Sequence, residues 1–369
     1  MKVRNLTLII LFLTTINHLQ AQRANAFHTL NLPSASPQVR EMQKLGVTEI
    51  EIDYHSPAHR NRDVWNNQSV IPQNGNPFPW RAGANMNTTI SFSTDVMIEG
   101  QSLKAGKYGF HIIPNGNSFD LLFAHNNDLW GSYYLDVDKD VTLRVNVTGV
   151  DTENQERLTY RFLDRKEDSL IIGLEWADKR IPFTVSVDLN ETVVASLRSE
   201  LRGLNTYRWQ AWNDAANWCL QHNTNLEEAL QWVERSISGG VNGFGANKNL
   251  TNLMTKANIQ KKLGLAEALD STISEAMNTI GTPADVNYFG IFLMRDQEFQ
   301  KAQVLTQKGL DQNPETWYLQ LNHGICSYFL GKKKQAIAML NRAKENTPEA
   351  YKSYVDRVLN EVRNGTYKL

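Results

Sequence analysis

Residues 141–147 read VTLRVNV, and residues 183–189 read FTVSVDL. In both stretches apolar and polar side chains alternate, which places one face of an extended segment in a core and the other in water. Similar alternation recurs in short runs from about Val47 to Leu189, separated by turns rich in Gly, Pro and Asn. Many short strands at this spacing are typical of antiparallel sheets that form a β-sandwich or flattened barrel. We therefore predict a β domain over residues 47–189.

After Asn190 the apolar residues follow the period of a helix. Small, turn and stop residues then recur about every 34 residues, the length of a tetratricopeptide helix–turn–helix repeat. One copy comprises Gly324, Gly331, Ala336, Leu340, Ala343 and Pro348, and the copy before it comprises Gly290, Ala302, Gly309 and Pro314. An ordinary helical bundle is the alternative. The recurrence in phase favours a tetratricopeptide-like α-helical array over residues 190–369, which would brace the β domain or dock a protein or peptide partner.

The first residues have the composition of a secretory signal. A basic start, Met1–Arg4, precedes the apolar run Leu6–Leu13, and the small residue Ala21 suits cleavage. The run is shorter than the ~20 residues that span a bilayer, and no later stretch predicts a membrane span. An uncleaved amphipathic helix is the alternative. We predict a signal peptide over residues 1–21, a linker over residues 22–46, and an exported protein, periplasmic or secreted, that is soluble after cleavage.

Composition narrows the class of protein. The 369 residues include 38 Lys and Arg against 39 Asp and Glu, for a net charge of −1. This balance argues against binding of nucleic acid, which needs clustered basic side chains. Hydrophobic residues make up 41% of the chain, enough for a large core, so general disorder is excluded. For Cys219 and Cys326 we favour two separately buried thiols, and a single bridge between helices stays open.

The stretch from His55 to Thr89 is rich in Asn, Pro, Arg and Trp and shows little strand periodicity. Loops of this length are uncommon unless they are functional or disordered. Guanidinium groups bind carboxylate or phosphate through paired hydrogen bonds, and indole faces beside amides suit a sugar ring. The alternative to a binding role is a structural one, in which the arginines hydrogen-bond to carbonyls of the loop and the tryptophans fill the open end of the domain. The candidate site for a small anionic or glycan ligand comprises Arg60, Arg62, Trp65, Trp80, Arg81, Asn85 and Asn87.

Several short motifs resemble those of a bacterial family catalogued as domain of unknown function 2911. They are Ser56-Pro57, Arg60–Trp65, Trp80–Asn85, Thr88–Ile90, Leu103–Tyr108, Ile113-Pro114 and Trp130-Gly131. The resemblance covers roughly residues 47–188 and implies an exported protein, in some members followed by tetratricopeptide-like helices. It implies no known reaction. This chain departs from the family pattern at Asn61, Asn66 and Ala82 and in the proline-rich segment 72–79, so a ligand shared by the family would be held differently here.

Catalytic signals are weak, and we lean against an enzyme. His55, His59 and Asp53 are the candidate catalytic residues, with Arg81 placed to stabilise developing negative charge. Their residue types also suit zinc or iron, but Pro57 separates the two histidines, so we assign no metal and expect no cofactor. The sequence contains no Gly-x-Ser-x-Gly motif for an activated serine.

Three hypotheses follow from the sequence. The first is an exported binding or scaffold protein, with a small-ligand site in the loop 55–89 and helical repeats that brace it or dock a partner. The second is a periplasmic hydrolase acting on envelope glycans or peptides. The third is a purely structural envelope component.

Overall fold

The computed structural model describes residues 32–240 and 244–369. The chain divides into two compact units between Thr192 and Val193, which we call the β unit and the helical unit. The predicted signal peptide with its cleavage site at Ala21, and the first part of the predicted linker, lie outside the described residues.

The β unit consists of ten described strands and one short helix. The strands are β1 (Gln38–Leu45), β2 (Thr48–His55), β3 (Thr88–Phe92), β4 (Val96–Ile98), β5 (Gln101–Leu103), β6 (Gly106–Asn115), β7 (Ser118–Ala124), β8 (Val141–Thr148), β9 (Val150–Leu163) and β10 (Ser169–Ser186), and the helix is α1 (Val137–Asp140). All strand pairs are antiparallel. One sheet has the order β1-β2-β3-β6-β7-β8 and the other the order β5-β4-β10-β9.

The two sheets share one core. The ring of Phe110 from the first sheet stacks on Phe183 from the second at 5.6 Å between centroids, and Phe123 meets the same ring edge-on. The alternation of apolar and polar residues along each strand places one face of the sheet in this core. In β2, for example, every second residue is buried, including Ile50 and Ile52. The predicted antiparallel β architecture is confirmed.

Residues 38–45, which the sequence placed in the linker, form the edge strand β1 and pair along their whole length with β2. The strand was missed because its sequence, QVREMQKL, carries polar or charged side chains on both faces. Burial in β1 is complete only at Leu45, as expected for an edge strand that avoids presenting an apolar row.

The boundary between the units lies within α2, and nine further helices follow among the described residues of the helical unit. The helices are α2 (Leu189–Glu200), α3 (Trp209–His222), α4 (Leu226–Ser238), α5 (Leu250–Lys262), α6 (Ala266–Met277), α7 (Pro283–Arg295), α8 (Phe299–Gln312), α9 (Trp317–Phe329), α10 (Lys333–Asn346) and α11 (Lys352–Asn364). Two short 3₁₀ turns lie at Leu204–Tyr207 and Glu349–Tyr351.

The helices form successive antiparallel hairpins: α3 with α4, α5 with α6, α7 with α8, and α9 with α10. The first helices of neighbouring hairpins also pack on one another, which is the arrangement of a helical-repeat array. The predicted C-terminal helical array is therefore confirmed. Both thiols, Cys219 and Cys326, are free and buried in its core, and burial raises their pKa values to about 11 and about 12.

Within the described residues, no helix combines the length and the apolar character that a membrane crossing requires.

Candidate functional site

The two tryptophans of the loop between β2 and β3 belong to the core of the β unit. Trp80 is 3% exposed and stacks on Trp176 of β10 with 6.1 Å between ring centroids. Its backbone N–H and C=O pair with Ile112 of β6 at 2.7 and 2.8 Å. Trp65 meets Trp80 edge-on and donates from Nε1 to the carbonyl of Trp176 at 3.1 Å. The indoles thus hold the loop against the sandwich.

Two of the loop's arginines bind the loop's own backbone. Arg62 donates to the carbonyls of His59 and Ala58, both at 2.9 Å. Arg81 donates to the carbonyl of Asn85 at 2.6 Å. These bonds hold the turns of the loop.

The guanidinium of Arg81 also lies over the ring of Tyr133, 5.0 Å from its centroid. Arg60 is exposed, and its backbone N–H donates to Oε1 of Glu156 at 3.1 Å. Among the predicted ligand-binding residues, the tryptophans thus lie in the core, two arginines bind carbonyls of the loop, and Arg60 lies on the surface. That these residues form one ligand site stays a prediction.

His55 and His59, the two candidate catalytic histidines, lie in different surroundings. His59 is buried, and its Nε2 lies 2.9 Å from Oε2 of Glu156 on β9. His55 is half-buried at the end of β2, where burial lowers the pKa of its imidazole. Nowhere in residues 32–240 and 244–369 do three His, Cys, Asp or Glu side chains form a group that could hold a metal ion.

A polar pocket of about 230 Å³ opens on the face of the six-stranded sheet that points away from the core, and we call it the sheet pocket. Three residues singled out in the sequence line it: Asp53, His55 and Asn87. The whole lining is Gln38, Arg40, Asp53, His55, Met86, Asn87, Thr89, Lys107, Asn127 and Asp128. Strand register brings these residues together, because Asp53 of β2 lies between Arg40 of β1 and Thr89 of β3.

Hydrogen bonds order one side of the sheet pocket. The carboxylate of Asp53 accepts from Nε2 of Gln38 at 2.7 Å and from the guanidinium of Arg40 at 2.8 Å. The amide oxygen of Asn87, which is buried, accepts from the backbone N–H of Leu129 at 2.9 Å. Asp53 is thus already neutralised by Arg40, which leaves Lys107 and Asp128 as the remaining charged groups of the lining.

Sequence reasoning missed Arg40, Lys107, Asn127 and Asp128. For Arg40, the signal in the sequence was Gly46, a residue that suits the turn of a hairpin. In the structure Gly46 has a φ of +57°. A hairpin centred on that turn pairs residue 38 with residue 55 and residue 40 with residue 53, as observed. The contribution of residues 127 and 128 had no local signal, since it depends on how the segment after β7 folds back over Asn87.

The helical unit contains a larger open groove of about 730 Å³ between α5 and α7, which we call the helical groove. Its lining combines apolar and basic side chains: Met254, Asn258, Lys261, Lys262, Tyr288, Ile291, Phe292, Arg295 and Asp296. Tyr288 is 59% exposed, so most of its ring is open to solvent.

The charges of the helical groove are predominantly positive. Lys261 forms an ion pair with Asp296, the single acidic residue of the lining. Lys262 donates to the carbonyl of Leu220 at 3.1 Å and to Oδ1 of Asn223 at 3.0 Å, so its charge is not neutralised. Arg295 is exposed, and within the part of the chain that the structure describes it has no ion-pair partner.

These observations define the class: a protein with an antiparallel β domain followed by a tetratricopeptide-like helical array. Residues 36–185 match the family model described as "Protein of unknown function (DUF2911)", which confirms the resemblance seen in the sequence. A search of the curated proteins found no match.

Solved structures similar to this chain include tetratricopeptide repeat proteins and the protein MamA. A tetratricopeptide repeat protein from Parabacteroides merdae is 18% identical, with 48% of this chain and 68% of that chain covered and a TM-score of 0.35. YrrB, titled a TPR protein with an unusual peptide-binding site, is 14% identical, with 47% and 87% covered and a TM-score of 0.32. MamA from Desulfovibrio magneticus is 13% identical, with 43% and 86% covered and a TM-score of 0.32.

Proposed function

We propose that the protein is an exported interaction scaffold whose helical groove docks an extended, acidic segment of a protein partner. The observation that carries this proposal is the lining of the groove, in which three basic side chains face one acidic side chain beside exposed apolar surface. Export rests on the composition of residues 1–21 alone.

The chemistry of the groove specifies the partner segment. Arg295 and Lys262 supply donors for carboxylates, and Arg offers a planar fork that matches a carboxylate. Tyr288, Ile291 and Met254 offer apolar surface on which a large side chain of the partner would be buried. An acidic peptide with an aromatic or aliphatic anchor therefore fits both features.

Peptide display tests this proposal. A library of random peptides is selected on the wild-type protein, on the groove variant Lys262→Glu/Arg295→Glu, and on the control variant Lys333→Glu/Lys334→Glu. The control reverses two charges at exposed positions of the same unit outside the groove. We expect wild type and control to enrich acidic peptides with an apolar anchor, and the groove variant to bind those peptides at least tenfold more weakly. Enrichment of neutral or basic peptides, or equal affinity for all three proteins, contradicts the proposal.

The β unit has a second role in the proposed scaffold, that of holding a small ligand. The sheet pocket supports this role, because it gathers His55 and Asn87 with Lys107 at one opening. The small ligand would thus lie in the sheet pocket, beside the arginines and tryptophans of the loop and not among them. Of the seven predicted ligand-binding residues, the pocket retains Asn87.

The hydrolase hypothesis gains no support from the geometry. Asp53 and His55 line the sheet pocket, but His59 and Arg81 do not. His59 contacts Glu156, and Arg81 contacts Tyr133. A general base must lie within hydrogen-bond reach of the group that it deprotonates. The carboxylate of Asp53 is occupied by Gln38 and Arg40.

A further inference from the structure

The sheet pocket offers several polar groups that form no hydrogen bond with any described residue. They are the hydroxyl of Thr89, the imidazole of His55, the ammonium of Lys107 and the carboxylate of Asp128. Two of these groups are neutral and the other two carry opposite charges. A pocket with this balance has no net preference for an anion, and it suits a ligand whose groups both donate and accept hydrogen bonds.

An exposed aromatic segment continues from the wall of this pocket. Asn127 and Asp128 line the pocket, and the chain then runs through Trp130, Tyr133 and Tyr134, which are 37%, 53% and 79% exposed. Three large rings exposed within five residues form a surface that is unusual on a protein without a binding role there.

The β unit holds the backbone of this segment in place from beneath. Asn87 and Leu129 exchange hydrogen bonds, with the backbone N–H of Asn87 donating to the carbonyl of Leu129 at 3.0 Å and the side chain of Asn87 accepting at 2.9 Å. Three residues further on, Oγ of the buried Ser132 lies 2.7 Å from Nδ1 of the buried His111. The rings are therefore presented by an ordered support, so little conformational entropy is lost when a ligand contacts them.

We propose that the sheet pocket and the aromatic segment Trp130–Tyr134 form one site for an uncharged oligosaccharide. This inference rests on the proposed small-ligand role of the β unit and names the class of ligand. The pocket, at about 230 Å³, is smaller than the roughly 300–1,000 Å³ of typical ligand sites, so it holds one sugar ring. The ring of Tyr134 stacks against the apolar C–H faces of the sugar units that follow. The ring of Tyr133 borders the site, since Arg81 lies over it and Phe78 meets it edge-on.

Titration calorimetry on the full chain tests the proposal. The probes are the tetrasaccharides and monosaccharides of glucose, mannose, xylose and N-acetylglucosamine, together with inorganic phosphate and acetate. We expect at least one tetrasaccharide to bind with a millimolar or tighter Kd and its monosaccharide to bind more weakly. Tyr134→Ala removes a ring that is 79% exposed, so the fold is retained. This substitution should weaken binding of the tetrasaccharide about tenfold, or about 1.4 kcal/mol, and leave the monosaccharide unchanged.

Two further variants separate the possible results. Lys107→Met, in the pocket, should weaken both sugars, whereas Tyr207→Ala, which removes an exposed ring from the helical unit, should weaken neither. If phosphate or acetate binds and no sugar does, the sugar proposal is overturned while the small-ligand role stands. If no probe binds, both fail, and peptide docking in the helical groove is judged separately by the display experiment.

Discussion

His111 is fully buried on β6, where its Nδ1 lies 2.7 Å from Oγ of Ser132. The pKa of His111 is lowered to about 4, mainly by burial and also by the nearby positive charge of Arg81, while Asp140 acts in the opposite direction. The imidazole is therefore neutral at pH 7 and is part of the support beneath the aromatic segment.

The depressed pKa of His111 predicts a dependence of stability on pH. Between pH 6.5 and about 4 the unfolded chain takes up a proton at this residue and the folded chain does not, so the free energy of unfolding falls as the pH falls through this window. At pH 5 the loss relative to pH 7 should be about 2 kcal/mol from this residue. Urea unfolding at the two pH values should show a smaller loss for His111→Gln than for wild type. His125→Gln, at an exposed position, is the control. An equal loss in wild type and His111→Gln contradicts the prediction.

At the scale of elements, the helical array depends on close approach between paired helices. Gly324 lies in α9, where a Cβ would come within 2.9 Å of Cγ of the buried Leu340 on α10 and 3.3 Å of the carbonyl of Ala336. Gly290 lies in α7 at the equivalent position of the previous repeat, where a Cβ would meet only Cγ2 of Thr306 at 3.4 Å. The same residue type in the same phase of the repeat therefore has two different physical roles.

Alanine substitutions distinguish these two glycines. Gly324→Ala should lower the free energy of unfolding by about 1–3 kcal/mol, because the added methyl group overpacks the contact with Leu340. Gly290→Ala should raise it by up to about 1 kcal/mol, because alanine loses less backbone entropy in a helix and finds room there. Denaturant unfolding of both variants measures the difference. Equal effects of the two substitutions would show that helix propensity alone acts at these positions.

At the scale of the whole molecule, each unit has its own hydrophobic core. In a repeat array each hairpin is stabilised by its neighbours. Here α11 packs on α10, with Val355, Val358, Leu359 and Val362 buried and its other face polar.

Removal of α11 should therefore destabilise the helical unit. A chain that ends at Tyr351 loses these four buried side chains, each worth about 1.5–3 kcal/mol of burial, and uncovers apolar surface on α10. We expect a lower urea midpoint and increased binding of a hydrophobic dye. The control Arg357→Ala/Glu361→Ala alters the outer face of α11 and should change stability by less than about 0.5 kcal/mol for each residue. An unchanged midpoint in the shortened chain would show that α11 does not stabilise the array.

The two architectures of this protein follow from its sequence alone. Alternating and helical periods identify which face of each element is buried, because that property depends on neighbouring residues along the chain. The small residues at positions 290, 324 and 336 predict a repeat, because they recur at the period of a helix–turn–helix unit. The sequence also contains the family motifs of the β unit.

Which polar side chains share a site depends on how the strands and loops pack in three dimensions. Arg40, Asp53 and Thr89 are neighbours because β1, β2 and β3 pair in one register, and Asp128 joins them through a loop that folds back over Asn87. The composition of the loop 55–89 could not show that Trp65 and Trp80 pack in the core, since an indole serves equally well as a core residue or a ligand platform. Burial and hydrogen bonding distinguish these roles, and both depend on contacts between residues that are distant in the chain.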